Sequence, residues 1–400
     1  MKKKSELYLI IILTFATSCS SDKPVKEGLA YIDVTKNYPE KEIFLNDIAD
    51  ITYLYLNSDD DDYLYKGRIH DISKNRIVVY DDFSGSVLFF SRDGSPVSRF
   101  NRKGQGPEEY SDARQIIYDE TADDVFVLPL GYSNFLHVYS STGDYKRKIS
   151  LPEGTIVDLF VSFDDESLFI YDSSKEKRKI LPDEVDETGL SIDYVDCPFV
   201  LISKADGKML DNVELPASNI VLKDDRVVQG ISVVVGRTMR LMKCKEGVLL
   251  CHPETDTVFL YNNDRILTPV FYKTPSLKSL NPMVYLNNCV DVGRYQFMEV
   301  FTVRYEEGAF PFPAKYYMRD KQTGEIFRQK TVLSDYRGKD FFISPLRSGK
   351  DYENGPYFEL DLIELKQAYR ENKLSGKLKE LVATLNEDED NNVFMLVDFK

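Results

Sequence analysis

The stretch Val87–Tyr110, VLFFSRDGSPVSRFNRKGQGPEEY, decides the fold, because its first half recurs downstream and its second half is the most distinctive run in the chain. Val87 to Phe90 is a short apolar run of β-formers, and Val97 to Phe100 returns with alternating polarity. Asp93-Gly94 between them supplies the positive-φ residue that a hairpin turn wants. Gly104 and Gly106 are read as positions needing backbone angles closed to other residues, and Pro107 fixes the next φ, so the chain turns into a new unit.

Working outward from Gly94, the same strand-plus-turn unit recurs as LHVYSSTG at Gly143, VLISKADG at Gly207 and VFLYNNDR at Arg265, with a looser YMRDKQTG at Gly324. Each copy follows another apolar run: IVVYDD from Ile77, VFVLPL from Val125, LFIYDS from Leu168, VLLCHP from Val248 and YQFMEV from Tyr295. Two strands therefore recur together in the same order. Single sheets of this size cannot bury both faces and must stack on neighbours, which is the mark of a propeller or solenoid. Six blades over residues 31–400 average about 62 residues each and seven about 53, so spacing does not choose between them.

The C-terminal part departs from the repeat. Leu362, Leu365 and Tyr369 follow helical spacing, as do Leu378, Leu381, Val382 and Leu385 after Ser375-Gly376, so a helical segment is expected over about 359–386. Val393 to Phe399, VFMLVDF, is too apolar to hang free. A last strand of this kind is expected to close the ring by completing a blade begun near the N-terminus, which removes two exposed edges.

At the other end, Lys2–Lys4 form a basic region, Leu7–Ala16 an apolar stretch too short to span a bilayer, and Ala16-Thr17-Ser18 precede Cys19. This pattern is similar to a bacterial lipoprotein signal, with residues 1–18 removed and Cys19 acylated. Residues 19–30 then form a tether, and 31–400 a single propeller domain. Four cysteines remain, Cys197, Cys244, Cys251 and Cys289, and are read as buried free thiols.

The run LNDIADITYLYL from Leu45, the corner KGQGPEEY from Lys103 to Tyr110 and the C-terminal NNVFMLVDF together resemble the six-bladed, NHL-like β-propeller lipoproteins of gut-type Gram-negative bacteria. The resemblance spans nearly the whole mature chain. It implies six blades, an outer-membrane address in the cell envelope, and a family largely without assigned activity. Asn391-Asn392 stands where that pattern has Asn-Pro.

Chemistry is sparse. His70, His137 and His252 show no metal-ligand spacing, and Cys251 and His252, adjacent on a strand, point to opposite faces, which excludes a simple dyad. Asp59–Asp62 lacks the glycine and closing glutamate of a calcium loop, and Gly104-Gln105-Gly106 runs into Glu108-Glu109, which would repel phosphate. No metal or cofactor is expected. A net charge of -15 argues against nucleic acid and anionic lipid surfaces, leaving the N-terminal lipid as the membrane contact. The absence of tryptophan removes the commonest sugar platform, although 26 tyrosines leave glycan binding open.

The reading is a lipid-anchored, non-catalytic binding module for a partner protein or ligand, associated with nutrient uptake as the resemblance implies. The rival is a propeller hydrolase or lyase working in the central channel. Within the repeat, long insertions fall at one connection, around Asp172–Pro198 and Arg304–Pro313. They nominate Tyr194, Arg304, Tyr305, Phe310 and Phe312 as a partner-binding rim. Gly104, Gly106, Pro107, Glu109 and Tyr110 are nominated as the structural corner, with Glu109 and Tyr110 as hydrogen-bonding fasteners.

Overall fold

The computed structural model describes residues 28–400 apart from 59–60, 132, 179–189, 196–197, 216–220, 225–226, 229–230, 233–238, 253–254, 283, 303–312, 345–355 and 388. Each recurrent pair of runs forms the two middle strands of an antiparallel sheet. Blade 1 is Gly67–Ile72, Arg76–Asp81, Ser86–Ser91 and Pro96–Asn101, and blade 2 is Ala113–Asp119, Asp124–Pro129, Phe135–Tyr139 and Tyr145–Ser150. Blade 3 is Val157–Ser162, Ser167–Asp172, Phe199–Ser203 and Met209–Val213, and blade 4 is Leu241–Cys244, Gly247–Cys251, Thr257–Asn262 and Leu267–Thr274. Blade 5 holds Val284–Leu286 and Val290–Val292, then Tyr295–Thr302, Ala314–Asp320 and Ile326–Leu333. In each blade the strands are called a to d from first to last, Val284–Leu286 and Val290–Val292 together forming the interrupted strand a of blade 5 because both pair with Tyr295–Thr302.

The sixth sheet is three-stranded, Tyr357–Leu360, Val393–Phe399 and Ala49–Tyr55 in that order. Its central strand pairs along its full length with Ala49–Tyr55, from Ala49 against Phe399 to Tyr55 against Val393. The last strand of the chain thus closes the ring on an N-terminal strand. Five hydrophobic clusters join the six sheets in a circuit. Val78 and Tyr80 of blade 1 pack with Val125 and Val127 of blade 2, while their alternates Ile77 and Val79 pack with Leu54 and Phe394 of blade 6. Blade 2 joins blade 3 through Phe126 and Phe160, blade 3 joins blade 4 through Phe169 and Phe259, and one large cluster ties blades 4, 5 and 6 through Phe271, Phe297 and Met395. A period of two with both strand faces apolar is what sheets stacked on two neighbours require.

The N-terminal segment adds strands that the repeat does not announce. Ala30–Asp33 lies parallel to strand d of blade 4, and Glu40–Phe44 parallel to strand d of blade 5. The first strand therefore starts inside the span assigned to the tether. The helical segment is also shorter than expected: its helices are Leu362–Arg370 and Gly376–Thr384, and residues 359–360 belong to a strand. Asp361 caps the first helix by accepting the Glu364 N–H.

The c–d turns lock adjacent blades together. Gly94, Gly143 and Gly207 have φ of +88°, +89° and +77°, and a side chain at each would collide with the preceding blade's strand d: with Tyr55 O at 2.0 Å, Phe100 Cβ at 2.4 Å and Ile149 Cγ2 at 2.7 Å. Glycine here supplies both the left-handed backbone and the close approach. Tyr55 stands to Gly94 as Phe100 stands to Gly143, which identifies Ala49–Tyr55 as the outermost strand of blade 6.

Gly104 and Gly106 owe their identity to a different cause from the one expected: neither has positive φ. The Glu109 carboxylate curls back to accept the Gly106 N–H at 2.8 Å, and its Oε2 sits 1.9 Å from where a Cβ on Gly104 would be. The Tyr110 hydroxyl donates to Gly85 O and the Tyr139 hydroxyl to Glu108 O, so the corner is bonded to blades 1 and 2. Cys244 and Cys251 flank a two-residue turn with Cys244 opposite Gly247, and both are free and buried, as is Cys289. Cys197 and Cys19 lie outside the described residues.

Candidate functional site

Antiparallel order a-b-c-d sends every b–c connection and every d–a connection to one face of the ring, and every a–b and c–d turn to the other. The first of these, the loop face, carries the irregular connections. In blades 1, 2 and 4 the b–c connection is short, but in blade 3 it runs from Asp172 to Phe199 and in blade 5 from Thr302 to Ala314. The helical segment between Leu360 and Val393 occupies the corresponding connection of blade 6. Sequence reasoning placed the first two insertions together and missed that the helices are a third, because the repeat is too degenerate in blade 6 to align.

Of the nominated rim residues, Arg304, Tyr305, Phe310 and Phe312 lie outside the described residues. Tyr194 lies in the strand Leu190–Val195, whose backbone pairs with Glu176–Arg178 on one side and with Val221–Asp224 on the other. Val221–Asp224 comes from the connection between blades 3 and 4, so two loop-face connections combine into a small sheet. At the tips of the short b–c connections, Phe83 is 85% exposed and Leu130 57% exposed.

The innermost strands a run from the loop face to the turn face around the central axis. An innermost strand has one unpaired edge, and the neighbouring blade covers it. Ile69 O accepts from the Tyr357 hydroxyl at 3.1 Å, Ile116 N–H donates to His70 Nδ1 at 3.0 Å, and Phe160 exchanges bonds through both its N–H and C=O with the Gln115 amide. Ile69, Ile116 and Phe160 face equivalent residues of strand b, Val79, Val127 and Ile170. The same device thus repeats at three successive junctions, from blade 6 to blade 3, and Asp71 adds a bond to Tyr118 N–H at 2.8 Å.

Bulges at His70, Arg114 and Asp158 aim these side chains out of the ladder. Arg114 pairs with Asp158 of the next blade and donates to its carbonyl at 3.0 Å. The Arg240 guanidinium lies 4.3 Å from the Tyr171 ring centre and bonds its hydroxyl; burial lowers its pKa, which the Asp158 charge partly restores. Burial raises the Glu359 carboxyl, against the Asn392 amide that donates to it at 2.7 Å. No local sequence signal marks these groups, because bulges and contacts between blades are set by the assembled ring.

The histidines and cysteines are packed rather than poised. His252 is buried, and desolvation, reinforced by the Arg240 charge, lowers its pKa to about 3. Burial likewise lowers His137 and raises Cys244 and Cys251 to about 12. Among the described residues no group of three or more His, Cys, Asp or Glu side chains could hold a metal ion, and no helix is long and apolar enough to cross a membrane.

Residues 21–190 match a sequence family described as a 6-bladed beta-propeller. A Bacteroides fragilis protein described as exported has a similar structure, with 17% identity, a TM-score of 0.59, and coverage of 90% of this chain and 98% of that one. A Bacteroides vulgatus protein follows at 12% identity and a TM-score of 0.48, covering 88% and 97%. The Pan2 WD40 domain of Neurospora crassa, at 8% identity and 0.37, covers 76% of this chain and 78% of its own. No curated protein matches the sequence. The fold is an all-β propeller with short C-terminal helices, and its six sheets agree with the blade number of the matching family.

Proposed function

We propose that this propeller is a non-catalytic binding module, anchored outside the cytoplasm through a lipid on Cys19, and that its partner docks on the loop face. The observation that carries the reading is the asymmetry of the two faces: length variation and the nominated rim fall on the connections of one side, which also carries exposed Phe83 and Leu130 as the other carries exposed Met209 and Ile266. Recognition is commonly built on loops held by a rigid scaffold. The channel's polar groups support a binding role in a second way. His70, Asp71 and Gln115 bond the backbone edges of neighbouring strands, and Asp158 is paired with Arg114, so these side chains act as fasteners between blades.

An address outside the cytoplasm fits the basic, apolar and small-residue order before Cys19, and a protein of similar fold is described as exported. Ala30–Asp33 runs parallel to strand d of blade 4, so the chain rises from the turn face, and a tether there would present the loop face away from the membrane.

The test is capture of the partner by cross-linking in the native membrane. Replacing residues 176–195 and 303–313 by short Gly-Ser links, each on its own, is expected to leave melting unchanged and to abolish capture. Undiminished capture by both variants defeats the loop-face reading, and Cys19→Ala protein that is processed and membrane-bound as before defeats the anchor.

A further inference from the structure

The ring's own repeat calls for a contact at blade 5 that is missing. Gly94, Gly143 and Gly207 each wedge against the preceding blade, whereas Gly324, at the same turn with φ +76°, meets nothing within 4 Å. A cavity of about 420 Å³ lies there instead, lined among others by Tyr31, Lys36, Tyr38, Arg319 and Ile326. The N-terminal segment forms much of its wall: Ala30–Asp33 adds a fifth strand to blade 4, and the chain turns back before Glu40–Phe44 joins blade 5. The volume falls in the ~300–1,000 Å³ range of small-molecule sites.

The lining has a definite chemistry. Arg319 donates through one Nη1 bond, to the neutral Gln296 side chain at 2.9 Å, and no carboxylate among the described residues forms an ion pair with it. The Lys36 ammonium is 3.8 Å from Asp33 and exposed. Tyr31 is stacked on Tyr272 at 5.2 Å and Tyr38 is edge-on to Tyr317 at 5.7 Å, so both rings are held in place. On a chain of net charge -15, an arginine without an acidic partner beside two fixed rings is a local reversal of sign.

We propose that this cavity binds a small carboxylate carried on a ring, with the carboxylate on Arg319 and Lys36 and the ring against Tyr31 and Tyr38. The planar guanidinium fork matches a carboxylate, and a lysine already partly neutralised by Asp33 suits a monoanion better than a dianion. Tyrosine faces accept flat or ring-shaped ligands at low entropic cost. The site is remote from the loop face and stands whether or not a partner docks there.

Residues 20–400, a form without the proposed lipid-attachment cysteine and the segment before it, are titrated calorimetrically at low salt with benzoate and with glucuronate. Saturable binding of at least one is expected, weakened ~10-fold or more by Arg319→Gln at unchanged melting temperature and falling as salt rises. If Arg319→Gln does not fold, Lys36→Gln, at an exposed position, is expected to weaken binding ~3-fold or more. No saturation by either probe up to ~10 mM, equal affinity in the variants, or binding only to anionic vesicles overturns the proposal.

Discussion

The two faces of the ring obey different rules. On the turn face the c–d connections of blades 1 to 3 are four- or five-residue turns whose glycines are fixed twice, by φ and by the blade they press against. On the loop face, Gly131 has a φ of +111° with nothing within 4 Å of a built Cβ, and the b–c connections range from a short turn to a pair of helices. One face sets the spacing of the blades and tolerates little. The other varies in length from blade to blade even though its Tyr110 corner and its helices enter the core, and its variable connections make it the side available for recognition.

That comparison breaks most completely where one strand serves both faces. Val393–Phe399 runs from the loop face to the turn face with neighbours on each side, and Val393, Phe394 and Met395 are fully buried. Deleting residues 392–400 leaves two unpaired strands and an open ring, and is expected to abolish cooperative unfolding and cause aggregation. A truncated protein that melts like the full chain would show that closure lies elsewhere.

The next effect separates the faces. Gly143→Val combines a forbidden φ with a collision against Phe100 and is expected to cost ~2–4 kcal/mol, whereas Gly131→Ala carries only the backbone part, ~1 kcal/mol. Urea denaturation of both measures the difference. Equal losses would mean that the wedge contact adds nothing to blade packing.

How much of this was legible in the sequence follows the same division. The middle strands of five blades were readable because both signals, an apolar run and a positive-φ turn residue, are local. Even Arg265 marks its turn, at φ +61°, without being glycine. Ala30–Asp33 and Glu40–Phe44 were not readable as added strands, since parallel pairing to a distant edge leaves no turn signature. Gly104 showed the limit of single-residue inference: its need for glycine comes from the Glu109 carboxylate and not from φ. The channel fasteners depend on bulges at His70, Arg114 and Asp158, which only the assembled blades define.

Acid sharpens the contrast by acting on the loop face. His252 follows strand b of blade 4, and its carbonyl accepts from Thr255 N–H at 3.0 Å, so it anchors a b–c connection. Its pKa falls from an ordinary 6.5 to about 3 on folding. The unfolded chain therefore binds the proton first, and the stability that neutral His252 contributes is present above pH 6.5 and lost as pH falls toward 3. Glu359, raised by burial, has the opposite sign, gaining stability as it protonates. His252→Gln is expected to flatten the decline in urea midpoint between those values, with hydrogen exchange near Thr255 changing before exchange at the c–d turns. An unchanged pH slope would assign acid sensitivity to another group.

The smallest expected effect is the most pointed. Phe83→Ser and Leu130→Ser together remove the two largest exposed apolar groups from the short loop-face connections. Surface changes of this kind fall within ~0.5 kcal/mol in stability, because neither side chain is buried in the ring. If the loop face is the docking side, the double variant should fold and melt like the parent while its cross-linked yield of partner falls. A drop in melting temperature of several degrees would mean instead that these residues pack against neighbouring loop-face connections. Unchanged melting with unchanged capture would leave Phe83 and Leu130 as isolated exposed hydrophobics and move the docking surface to the longer connections of blades 3, 5 and 6.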